Sequence, residues 1–153
     1  MNLTYLFRNS WWVKRKRPKT KIGFTVFDLI IEIVGLVAVL SMWILVMVYY
    51  SQLPDLNLPV VATILYAGMT LLSRFPRIFN YPVSITENNA SFQYRNMARM
   101  IRCLKLSLVL VFGFGVLQTI QNVEDFGIWY MPLTFTIITL PVIYFMVKSF
   151  MNR

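Results

Sequence analysis

"RFPRIFNYPVSITENNASFQYRNMARMIR" occupies Arg74 to Arg102 and is the longest polar interval in a chain that is 58% hydrophobic. Five arginines, Pro76, Pro82 and a Ser/Thr/Asn cluster interrupt apolar sequence that resumes on both sides. Crossing about 30 Å of hydrocarbon at 1.5 Å per helical residue takes roughly 20 mainly apolar residues. Directly before the polar interval, the stretch from about Leu56 to Phe75 meets that requirement; directly after it comes "LKLSLVLVFGFGVLQTI", Leu104 to Ile120. Farther out lie "FTVFDLIIEIVGLVAVLSMWILVMVYY", Phe24 to Tyr50, and "IWYMPLTFTIITLPVIYFMV", Ile128 to Val147. The expected architecture is an all-α integral membrane protein with four transmembrane helices. A basic, aromatic arm (1–23) precedes a four-helix membrane domain (24–153), whose polar segment (76–103) joins the second span to the third.

Composition supports this reading. Only 14% of residues are charged and the mean hydropathy is +0.61, whereas soluble domains carry about 25% charge. The formal charge of +9 is distributed unevenly. Seven basic residues precede the first span, six lie between the second and third, and two follow the fourth, so all 15 fall on one side of the expected membrane. The positive-inside rule then puts both termini and the middle segment in the cytoplasm. The short outer loops carry acids alone, Asp55, Glu124 and Asp125. Tyr49, Tyr50, Trp129 and Tyr130 mark the outer interface, where amphipathic rings favour the headgroup level. Topology and attraction to anionic lipid account for the positive charge, so no nucleic-acid partner is expected.

Histidine is absent and Cys103 is the only cysteine. A Ser-His-Asp or Cys-His nucleophile system cannot be built, nor a site with imidazole-ligated zinc. No catalytic residue, metal site or cofactor is expected. The first apolar run is too long for a signal-peptide core and no small-residue cleavage site follows it, so a cleaved leader is not expected either.

Two features near the basic side stand out. In the N-terminal arm, Leu3, Leu6, Phe7 and Trp11 have helical spacing and are followed by Trp12 and "KRKRPKTK". Trp11, Trp12, Lys14, Arg15, Lys16 and Arg17 are therefore expected to contact the bilayer and its anionic inner-leaflet lipids. At the base of span one, Asp28 and Glu32 share a helix face. Ionisable groups in a membrane segment are costly and suggest a site, but the 18 residues from Ile33 to Tyr50 nearly cross the hydrocarbon unaided, at about 27 Å. The pair is thus expected at the inner boundary, matched by Arg95, Arg99 and Arg102, whose i, i+4, i+7 spacing also gives one face.

Within the polar interval, Pro76 ends span two and Pro82 stiffens the next turn. "SITE" at Ser84 to Glu87 has capping-box form, with Thr86 as the alternative cap. Neither Pro nor Gly occurs between Glu87 and Gly113, so a cytoplasmic helix is expected to run straight into span three.

The block "RFPRIFNYPVSITENNASFQYRNMARMIRCLK" resembles a bacterial integral membrane family of unknown function whose domain also occurs in Sdp-type toxin-immunity proteins. The resemblance rests on "FPRIFNYPV", "ITEN" and "QYR", hence on Phe75, Pro76, Arg77, Asn80, Tyr81, Pro82, Thr86, Glu87, Asn88, Tyr94 and Arg95. It spans about thirty residues clearly. The family's outer motif P-x-H-F-N-x-x-G-x-x-D is missing, its place taken by "SQLPDLNLPVV". The resemblance implies a bacterial inner-membrane bundle with an ordered cytoplasmic helix-loop element.

The expected function is that of a non-catalytic accessory, regulatory or immunity-type subunit. It would engage a membrane-protein partner or a second copy of itself through its bundle and the 74–102 segment. The alternative is a small transporter or channel subunit with a proton- or ion-linked acidic pair, in which Pro141 or Gly113 to Gly115 would break a span.

Overall fold

The computed structural model describes residues 18, 23–53, 55–121 and 127–152. Four α-helices occur among the described residues: α1, Val26–Val48; α2, Asn57–Ser73; α3, Ala90–Ile120; and α4, Tyr130–Met151. Single 3-10 turns at Tyr50–Gln52 and Pro76–Ile78 follow α1 and α2, and no strand occurs among the described residues. Three helices, α1, α3 and α4, are long and apolar enough to cross a membrane. Helix α2 is apolar but shorter, at 17 residues, or about 26 Å.

Local polar contacts set the starts of two of the helices. Thr25 and Asp28 form a reciprocal capping box at the start of α1. This consumes two of the amide donors that a helix N-terminus leaves unpaired. Before α3, the Thr86 amide donates to Asn89 Oδ1 (2.9 Å) and the Asn89 amide to Thr86 Oγ1 (3.3 Å). Thr86 and Asn89 thus cap the preceding turn reciprocally, while the N-cap residue of the helix is Asn89 and makes no side-chain bond into it; neither Thr86 nor the expected box at Ser84 to Glu87 caps the helix itself. The helix starts at Ala90, three residues after the expected Glu87, because residues 87–89 form the turn that this cap closes. From there α3 runs unbroken for 31 residues. It passes through Gly113 and Gly115 without interruption, and α4 likewise continues through Pro141.

Helix α3 is the axis of the bundle, with the other three packed around it. Interhelical contacts fix the directions. Asp28 lies beside Arg99 and Arg102 at one end, while Met42 and Val46 cluster with Val116 and Ile120 at the other, so α1 and α3 run parallel. Helix α2 runs against both: Trp43 Nε1 donates to Thr63 Oγ1 at 2.9 Å, and Thr70 meets Lys105. Helix α4 also opposes α3, with Tyr130 stacked on Phe114 and Phe145 beside Asn96. The order is up, down, up, down.

The apolar core sits at the end away from the arginines. Met42, Val46, Ala62, Val116 and Ile120 are buried there, with Trp43, Leu58 and Phe112 against them. Most of the remaining large apolar side chains point outward, on α4 above all. In water such a surface would drive association; in hydrocarbon it is the ordinary exterior of a spanning helix. The described basic residues collect at the opposite end, on the turn after α2, the first half of α3 and the last turn of α4.

Candidate functional site

The expected acidic pair is the centre of a network joining α1, α2 and α3. Asp28 is 1% exposed. Its Oδ1 accepts from Arg99 Nε at 3.1 Å and from Arg102 Nη1 at 3.0 Å. Its Oδ2 accepts from the Thr25 amide and hydroxyl, at 2.9 and 2.7 Å. One carboxylate therefore caps its own helix and holds two guanidinium groups of a helix some 70 residues away. Glu32, one turn further in, accepts from Arg102 Nε at 3.2 Å and from Lys105 Nζ. Arg102 thus bridges both acids through adjacent edges of its planar fork, a geometry lysine cannot reproduce.

Lys105 is wholly buried. Besides Glu32, its ammonium donates to Thr70 Oγ1 at 3.0 Å and lies 4.4 Å from the Tyr66 ring centre. The Tyr66 hydroxyl donates to the Glu32 carbonyl at 3.4 Å, a long bond. Aromatic faces cover the arginines as well, Phe27 at 5.4 Å from Arg99 and Phe24 at 5.0 Å from Arg102. Such faces favour a desolvated cation.

Sequence spacing finds most of this cluster but misplaces one member and misses another. Arg99 and Arg102 pair with the acids as expected. Arg95 does not: it lies one turn of α3 before Arg99, beyond the first turn of α1, and forms no ion pair with Asp28 or Glu32. Lys105 takes the third position instead. Its signal was present in the i+3 step from Arg102, which keeps it on the same face.

The other family-like residues divide by burial. Pro76 and Tyr94 are buried, and Tyr81 is half-buried. The Tyr81 hydroxyl donates to the Pro76 carbonyl at 2.6 Å, and its ring packs edge-on against Tyr94 at 5.7 Å. These three hold the turn against α3. Phe75, Arg77, Asn80, Pro82, Thr86, Glu87 and Asn88 are exposed on the same segment.

A second polar contact, not anticipated from sequence, ties α4 to α3. Gln93 Nε2 donates to the carbonyls of Ser149 and Asn152, both at 3.0 Å. Ser149 Oγ returns a bond to Gln93 Oε1, and Asn96 Nδ2 donates to the Phe145 carbonyl at 2.7 Å. The Ser149 and Asn152 carbonyls, at the C-terminus of α4, lack intrahelical donors, so Gln93 of α3 supplies them; Phe145 lies farther inside the helix and takes Asn96 as an additional donor. The lipid-contact residues expected in the arm, Trp11, Trp12, Lys14, Arg15, Lys16 and Arg17, lie outside the described residues. Among those described, no group of three or more His, Cys, Asp or Glu could hold a metal ion.

No protein-family model matches the chain, and neither a curated protein nor a solved structure matches it.

Proposed function

We propose that this protein is a non-catalytic subunit of the bacterial cytoplasmic membrane that docks a membrane-protein partner through the segment between α2 and α3. In this reading α2 is a fourth span, both termini and the 76–103 segment are cytoplasmic, and the resemblance to the immunity-related membrane family is one of kinship. The observation that carries the proposal is how the segment is held. Pro76, Tyr81 and Tyr94 fix its underside and the Thr86/Asn89 cap fixes its end, while Phe75, Arg77, Asn80, Pro82, Thr86, Glu87 and Asn88 face outward. A turn fixed from beneath, with an exposed row of polar and apolar groups, suits recognition because little conformational entropy remains to be lost on binding.

The charge network supports the same reading over the transporter alternative. Both membrane-boundary carboxylates are engaged by Arg99, Arg102 and Lys105, and Gly113 to Gly115 and Pro141 lie within continuous helices. Arg99 and Arg102 are engaged by the acids of α1, so the working surface proposed is the turn and not the arginine face of α3.

The test is recovery of the full chain from its native membrane in mild detergent after in-cell crosslinking, followed by mass spectrometry. A single membrane protein is expected to co-purify in near-stoichiometric amount and to be lost with Asn80→Ala plus Glu87→Ala, substitutions of exposed side chains that leave the fold intact. Recovery of this chain alone, or a partner indifferent to both changes, would overturn the proposal.

A further inference from the structure

The network carries more positive charge than its own acids neutralise. Among the described residues, the only carboxylates that Arg99, Arg102 and Lys105 meet are Asp28 and Glu32, a surplus of one cation in a mostly buried cluster. Isolated charge is expensive to bury, so an anion from outside the described residues is the natural complement. The fork of Arg99 shows where it would enter. Nε is bound to Asp28 and Nη2 to Thr25, whereas Nη1 donates to no described residue, and the side chain remains 22% exposed. Thr25 Oγ1 lies 2.9 Å from Nη2, and the Arg99 guanidinium lies over Phe27, itself exposed.

Depth and surroundings specify the anion. From Arg99 to Ile120 α3 rises about 32 Å, one hydrocarbon thickness, which puts Arg99 at the phosphate level if Ile120 marks the far boundary. From Phe27 an exposed apolar stripe continues along α1 through Ile30, Val34 and Val37, i, i+3, i+7, i+10 on one helix face. It extends about 15 Å, the right form for an acyl chain. We infer that Arg99, flanked by Phe27, binds the phosphate of an anionic phospholipid whose acyl chain lies along the Phe27–Val37 face of α1. The lipid completes the charge balance of the network and ties the junction of α1 and α3 to the membrane surface. This site uses none of the residues expected to contact lipid in the arm and does not depend on the partner-docking reading.

The experiment is native mass spectrometry of the detergent-purified full chain with dioleoyl phosphatidylglycerol or dioleoyl phosphatidylcholine. It is run in about 0.5 M ammonium acetate, where attraction between solvent-exposed charges is screened. The wild type is expected to retain the anionic lipid about fivefold better than the zwitterionic one, the scale of one cation at a membrane surface. Arg99→Gln should bring the two to parity, and Arg95→Gln should leave the preference unchanged. Glu32→Gln is nearly isosteric, accepts from only one of Arg102 and Lys105, and adds one to the surplus, so it should strengthen retention. That variant keeps the proposal testable should Arg99→Gln not fold, since a purely structural network predicts no gain. Equal retention of both lipids by the wild type, unchanged preference in a folded Arg99→Gln, or no gain in Glu32→Gln would overturn the proposal. Displacement of phosphatidylglycerol by millimolar inorganic phosphate would also overturn it, assigning the site to a free anion.

Discussion

Lys105 meets Glu32 from a position with no exposure to the surroundings, so its contribution depends on what remains when one partner is removed. Breaking a buried ion pair costs about 3–5 kcal/mol because the surviving charge stays desolvated, whereas replacing both partners by apolar groups is often neutral. Glu32→Leu, which strands the buried Lys105 ammonium, is therefore expected to lower unfolding stability in detergent by about 3 kcal/mol, and Glu32→Leu combined with Lys105→Met to recover most of that loss. Thermal or denaturant unfolding of the two variants and of Lys105→Met alone measures the coupling; strictly additive losses would reject it. Much of this cluster was legible from residue type and spacing: acids at 28 and 32 imply partners, and a run of arginines on one helix face supplies them. Which arginine fails to reach depends on where the two helices cross, and spacing within one helix cannot contain that. Lys105 was obscured because, as a flanking cation, it already had a role in orienting the chain.

Gly35 shows how helix packing sets the reach of those side chains. A Cβ built on Gly35 would lie 3.1 Å from Tyr66 Cε2, closer than van der Waals contact, so the absent side chain lets α2 approach α1. That approach also positions the Tyr66 ring beside Lys105. Gly35→Val is expected to push Tyr66 away and cost about 1–3 kcal/mol, the range for overpacking. Gly68→Ala, where nothing lies within 4 Å, should be neutral or slightly stabilising through its helix propensity. Paired thermal-shift measurements in one detergent decide the matter; equal responses would refute the close-packing role. The helices themselves were readable, since 20-residue apolar runs have few alternatives. The start of α1 could also have been read from T-x-x-D at Thr25–Asp28, where two polar residues satisfy each other and the helix end. The bonds of Gln93 and Asn96 to α4 left no such trace, because their acceptors are backbone carbonyls that any sequence supplies.

For the molecule as a whole, the segregation of charge carries the topology. Asp55 lies on the connection between α1 and α2, at the end opposite the described basic residues, whereas Glu87 lies on the turn before α3, at the basic end. On a Cys103→Ser background, Asp55→Cys is expected to react with a membrane-impermeant maleimide in intact spheroplasts. Glu87→Cys should react only after permeabilisation. Labelling of both positions from one side would reject the four-span, N-in and C-in arrangement. The network adds a constraint in time. Lys105 follows Glu32 by 73 residues, so at synthesis rates of about 5–20 residues per second the acids wait roughly 4–15 s for that cation to emerge from the ribosome. Throughout that interval the nascent first helix holds two carboxylates without their final counter-ions, both within its first two turns. In the four-span arrangement that position leaves them within reach of the headgroup region, whereas the same pair several turns deeper would have to enter hydrocarbon, at a cost, before its arginines existed.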